Sequence, residues 1–164
     1  MNKLEINQVN PMKKCAAWLL IVFVLIQARG AELNWLTDLA KAKVQAKDEK
    51  KMILLDFTGS DWCPPCKRLK KEIFSTPEFA DFAKDHLVLV EVDFPRSKPQ
   101  SEELKRANDA LAKEYDIEGY PTVILLSSAG KELKRLGYDG SSAKEFVAQL
   151  QKLKTRQVSF SLSR

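Results

Sequence analysis

The sequence predicts an α/β domain built as a central mixed sheet flanked by helices on both faces. Three observations carry that reading. Apolar runs rich in branched residues at 52–57 (MILLDF), 87–92 (LVLVEV) and 122–127 (TVILLS) have the length of buried strands. Segments with apolar residues at helical spacing separate them, and such alternation implies parallel neighbours. Ala129-Gly130 then turns the chain into a further extended segment at 132–138, so the last two strands form an antiparallel hairpin. The 164 residues suffice for one domain with its own core.

The first thirty residues differ in kind from the rest. Met12-Lys13-Lys14-Cys15 leads into the apolar run AAWLLIVFVLI at 16–26, and small residues follow at Ala28 and Gly30. A basic start, a short apolar stretch and small residues after it read as a secretory signal at 1–30, cleaved after Gly30 or Ala31. Residues 1–11 add nothing that a signal requires, so Met12 serves equally as its start. The run is short of the roughly 20 apolar residues that span a bilayer; the alternative is an uncleaved N-terminal anchor. Export to the periplasm or another extracytoplasmic space is therefore expected.

The domain itself is placed at 31–154. Asn34 reads as an N-cap, with Trp35, Leu36, Leu39, Ala40 and Val44 forming one helical face to about Asp48. After the strand at 52–57, residues 58–61 form a loop. A helix follows at 64–74, where Pro64 and Pro65 suit a first turn because its N–H groups have no intrahelical partner. A short helix runs to about Asp85 and precedes the strand at 87–92. The stretch DFPRSKPQ, 93–100, is longer than the fold requires and is read as a tolerated surface loop, the alternative being contact with a partner. Residues 102–115 are helical, with Leu104, Asn108, Leu111 and Tyr115 on one face. Ser142 and Glu145 form a capping box for a last helix whose face is Phe146, Val147, Leu150 and Leu153. Residues 155–164 are expected to be a flexible tail.

Charge excludes one class of function. The chain carries +5, but residues 1–30 hold +3 of it, leaving +2 interspersed over the rest. No basic stripe with interleaved aromatics is present, so nucleic acid is not expected as a partner. Nor is any large apolar stripe evident beyond residue 30, so a monomer is expected.

The chemistry concentrates at Trp62-Cys63-Pro64-Pro65-Cys66-Lys67. Once Cys15 leaves with the signal, Cys63 and Cys66 are the remaining thiols. A bridge between residues three apart restricts the unfolded chain very little, so it is a poor structural staple. Zinc needs four ligands, whereas one pair and His86 are available, so a metal would have to be shared between chains. His86 is read as a surface or capping residue. The reading that remains is a redox-active dithiol. Cys63 at a helix N-terminus, with Lys67 and Arg68 in the first turn, is expected to have its thiol pKa lowered. Pro64 and Pro65 remove part of that stabilisation, since they have no N–H, while fixing the geometry of the pair.

The segments LLDFTGSDWCPPCK and EYDIEGYPTVILLSSAGKEL, with the final helix, resemble the thioredoxin family, and most closely its exported branch, over 33–153. The resemblance implies the thioredoxin fold, with Cys63 as the exposed nucleophile and Cys66 as the buried resolving thiol. Trp62 matches the aromatic residue before the family's first cysteine. Pro121 matches its cis-proline, which helps dock the substrate backbone, and Tyr120 lines the groove. Asp56 resembles the family's buried acid, either relaying protons to the resolving cysteine or merely ending a strand. Two departures stand out: the loop from Asp56 to Trp62 is one residue longer, and the lysine that often accompanies the acid is replaced by Leu89. The implied activity is thiol–disulfide exchange on protein substrates without a cofactor, most simply as a reductase fed by a membrane-bound electron donor. A disulfide oxidase or isomerase of the same fold, or a non-enzymatic peptide- or metal-binding module, are the alternatives.

Overall fold

The computed structural model describes residues 33–162, so the signal read at 1–30 lies outside the described residues. The elements are β1 (Trp35–Leu36), α1 (Leu39–Glu49), β2 (Met52–Thr58), α2 (Pro64–Leu69) running into a π-helical turn (Lys70–Phe74), α3 (Pro77–His86), β3 (Leu87–Asp93), α4 (Glu102–Glu114), β4 (Thr122–Leu126), β5 (Glu132–Leu136) and α5 (Ala143–Leu162). The strands form one mixed sheet in the order β1-β3-β2-β4-β5.

At the beginning of the domain the structure departs from expectation. Trp35 and Leu36 are not helical; they pair in parallel with Leu89 and Val90 at the sheet edge. The helix is capped by Asp38, whose carboxylate accepts the N–H groups of Ala40 and Lys41 at 2.8 and 3.1 Å. Starting there, the inward stripe is Leu39, Ala42 and Ala46, and Val44 is 64% exposed. The two alanines allow the helix to lie close against β2 and β3.

Strand β2 is buried along all seven residues. Because side chains alternate across a strand, Met52 and Leu54 enter the core under α2, α3 and α5, together with Phe74, Phe79, Phe146 and Leu150. Ile53, Leu55 and Phe57 point to the other face, under α1 and α4. Phe74, Phe79 and Phe82 are core packing, with Trp35 set against Phe74 at a centroid distance of 5.1 Å. The π turn, with Ser75 N–H donating to Lys70 C=O at 2.8 Å, lets adjacent Ile73 and Phe74 both face inward.

The second departure concerns direction. Strand β4 pairs antiparallel to β2, with Phe57 opposite Thr122, whereas strand–helix alternation implied a parallel neighbour. Alternation does not record the end of the sheet to which a helix returns the chain. Here α4 delivers it to the end where β2 and β3 finish at Thr58 and Asp93, so residues 119–121 lie beside 59–63. Helix α5 opens with the expected capping box, Ser142 N–H to Glu145 at 2.9 Å and Glu145 N–H to Ser142 Oγ at 3.3 Å. It stays helical to Leu162, through most of the stretch read as a tail, which contains no glycine or proline to stop it.

The caps provide a direct check of the corrected start. Asp38→Ala is expected to lower stability by about 1 kcal/mol in urea denaturation, while Asn34→Ala leaves it within about 0.5 kcal/mol. The reverse order would restore Asn34 as the cap.

Candidate active site

Cys63 is the N-cap of α2, with extended backbone, and is disulfide-bonded to Cys66 at a Cα separation of 5.3 Å. Its Sγ accepts the N–H of Cys66 at 3.3 Å. Pro64 and Pro65 occupy the first turn and contribute no donor. Both cysteines are 3% exposed, so the distinction expected between an exposed and a buried sulfur does not appear in burial; it lies in position, Cys63 at the cap and Cys66 inside the turn. Lys67 lies on the exposed side, donating from Nζ to the Asp61 carbonyl at 2.7 Å.

The turn before Cys63 is held by its own backbone, the N–H of Cys63 donating to the Gly59 carbonyl at 2.9 Å. Trp62 lies over Gly59 so closely that a Cβ there would sit 2.5 Å from Cε2 of the indole. The indole N–H donates to the Phe94 carbonyl at 2.8 Å. Tyr120 meets Trp62 edge-on at 5.9 Å and Phe94 at 5.1 Å, completing an aromatic wall beside the disulfide. The Tyr120–Pro121 peptide is cis, as the resemblance implied. Burial, with the charge of Asp109 behind it, raises the Tyr120 hydroxyl pKa above its ordinary value.

Asp56 lies on the α2 side of β2, 6% exposed, with Oδ1 lacking a hydrogen-bond partner among the described residues. Burial first, then the charges of Glu91 and Asp93 against that of Lys70, moves its pKa from 3.8 to about 8. Leu89, at the position where the family often has a lysine, is buried core. Glu91 is the strand partner of Asp56, and Lys70, on the π turn, lies 3.5 Å from the Glu91 carboxylate. A cation therefore approaches the buried acid from a helix instead of from the strand. The sequence reading missed this pair, because Lys70 and Glu91 are 21 positions apart and neither carries a motif.

The loop at 93–100 lies on the surface, as read, but it is clamped: the Asp61 carboxylate accepts the N–H groups of Arg96, Ser97 and Lys98 at 2.7–3.2 Å. Those N–H groups hold the Asp61 carboxyl below its ordinary range. Asp93 reciprocates, accepting from Ser60 N–H and Oγ at 2.9 and 2.6 Å. The available signal was the pair of acids at the ends of two loops that the strands bring together. His86 meets Phe82 edge-on at 4.8 Å, with Lys154 Nζ 3.0 Å from its ring, away from the disulfide. No group of three or more His, Cys, Asp or Glu among the described residues is placed to hold a metal.

A family model for a thioredoxin-like domain matches residues 39–154. The disulfide bond reductase DsbH of Chlamydia pneumoniae is 37% identical over 121 residues, 74% of this chain and 72% of that protein. The thioredoxin-related protein DsbJ of the same organism is 33% identical over 134 residues, 78% of this chain but 38% of its own length. A solved DsbH oxidoreductase superposes with a TM-score of 0.71 at 30% identity, over 93% of this chain and 94% of that one.

Two substitutions check this geometry. Asp56 remains protonated in the folded chain up to about pH 8 and ionises near 3.8 when unfolded. Its contribution to stability is therefore fully present below about pH 4 and is lost as pH rises to about 8. Asp56→Asn is expected to leave stability nearly unchanged at the acid end and to gain on the parent through that window, reaching a few kcal/mol above it. A stability difference that stays flat with pH would show that Asp56 is not protonated in the fold. Gly59→Ala is expected to displace the indole of Trp62, changing its fluorescence and costing about 1–3 kcal/mol; unchanged emission would contradict the close approach.

Proposed function

The chain belongs to the thioredoxin-like family and is a thiol–disulfide oxidoreductase; on that premise we propose that it works as a reductase of disulfides in exported proteins. The observation that carries the direction is the surroundings of Cys63 Sγ. It accepts one backbone N–H, and the two prolines supply none. A strong oxidant depends on strong stabilisation of its reduced form, and one donor supports only a moderate thiolate. The name of the relative at 37% identity, a disulfide bond reductase, agrees.

In the proposed cycle the Cys63 thiolate attacks one sulfur of a substrate disulfide, forming a mixed disulfide and releasing the other substrate sulfur as a thiolate. Cys66 then loses its proton and attacks Cys63 Sγ. The Cys63–Cys66 bond forms, the mixed disulfide breaks, and the substrate leaves as a dithiol carrying the two electrons. We assign the ionised fraction of Asp56, which grows as pH rises toward about 8, to receive the Cys66 proton. Trp62, Tyr120 and Pro121 form the wall along which the substrate backbone docks. The electrons reside in the cysteine pair, so the cycle needs no cofactor. Restoring the dithiol outside the cytoplasm needs a donor that carries electrons across the membrane. Export through residues 1–30 and a monomeric state complete the reading.

The reduction potential of the Cys63–Cys66 pair, measured in dithiothreitol buffers, tests it. A value near about −270 mV supports a reductase, and one near about −120 mV overturns the direction. Cys63→Ser is expected to abolish turnover and the two-electron transition together.

A further inference from the structure

We propose that the loop at 93–100 is a cationic lip of the active site that selects protein disulfides flanked by acidic residues. The inference rests on the oxidoreductase reading of Cys63–Cys66 and names the substrate class for that site.

The loop is fixed from both ends. Phe94 N–H donates to the Thr58 carbonyl at 2.9 Å, and Gln100 and Asn108 both donate to the Asp93 carbonyl, at 3.1 and 2.8 Å. With Asp61 gripping three consecutive N–H groups, the backbone is anchored while the side chains of Arg96 and Lys98 stay exposed. The guanidinium of Arg96 lies 3.8 Å from the ring centroid of Trp62, the residue that precedes Cys63. Lys98 Nζ donates to Ser60 Oγ at 2.9 Å, and Lys67, on the exposed side of α2, donates from Nζ to the Asp61 carbonyl at 2.7 Å.

Charge supplies the chemical class. Residues 59–71 and 93–100 hold six cations, of which Lys70 is paired with Glu91, against Asp61 and Asp93. Both of those carboxylates are engaged by loop N–H groups or by Ser60. Among the described residues Lys67, Arg96 and Lys98 make no ion pair. Beyond residue 30 the chain carries +2, so these two segments carry +4 and the remainder −2. A substrate must bring a sulfur to Cys63, and its flanking residues then meet Trp62 and the lip. Arg96, stacked on the indole, is pre-oriented to accept a carboxylate in a bidentate pair. Unpaired cations at the mouth also steer an acidic partner during encounter.

The test is single-turnover reduction by the fully reduced protein of two disulfide-closed peptides of equal length, one with glutamates flanking its cysteines and the other with lysines. Alkylation of the released thiols reports the rate. The glutamate peptide is expected to react about tenfold faster at low ionic strength. The preference should collapse at about 1 M salt, where the Debye length is about 3 Å. In the Arg96→Gln, Lys98→Gln double variant, whose loop backbone is still held by Asp61, the ratio is expected to fall to within about twofold, an electrostatic preference having been removed. Equal rates for the two peptides in the parent, or a ratio untouched in the variant, would overturn the lip while leaving the oxidoreductase intact. Failure of the reduced protein to open either peptide would overturn both.

Discussion

The pairing of β2 with β3 on one side and β4 on the other determines where chemistry can occur in this molecule. All seven residues of β2 are buried, and a slip of one position would exchange Leu54 and Asp56 for Leu55 and Phe57 across the sheet. With the register held, Thr58, Asp93 and Thr122 reach the same end together. Three chain segments emerge there, carrying Trp62, Phe94 and Tyr120. They meet because the strands beneath them are registered, and the cysteine pair is set beside a wall contributed by residues far apart in sequence.

That alternation also imposes a burden. It directs Asp56 toward the core under α2, alongside Met52 and Leu54, where an ionised carboxylate is poorly solvated. The chain meets the burden by keeping the acid protonated at neutral pH, with Glu91 opposite it adding to the effect. Lys70 opposes both, reaching Glu91 from the π turn. A lysine in place of Leu89 would have entered the core from the strand itself; moving the cation to a helix leaves that position apolar and places the charge at the protein surface, 63% exposed.

The legible parts of the sequence were those governed by local rules. Strand runs, the Ser142–Glu145 box, the proline start of α2 and the Cys-Pro-Pro-Cys each depend on neighbours within a few positions, and each is present. What sequence reasoning missed depends on distance. Asn34 and Asp38 are both acceptable caps; only the pairing of Trp35 with Leu89 decides between them. The direction of β4 follows from where α4 returns the chain, which periodicity does not encode. The bonds from Asp61 to residues 96–98 span 35 to 37 positions, so two polar loops that read separately as unremarkable form one clamped unit.

In that unit the two signs of charge have different tasks. The carboxylates of Asp61 and Asp93 are turned onto N–H and hydroxyl donors of the two loops, and such charge-assisted bonds fix backbone well. Lysine and arginine have no acceptor with which to do the same, so their long side chains are left at the rim. A loop closed by acids therefore presents bases, and the face around the disulfide becomes positive while the rest of the domain does not. The asymmetry needs no dedicated patch of sequence; it follows from using aspartates to fasten a loop whose side chains are cationic.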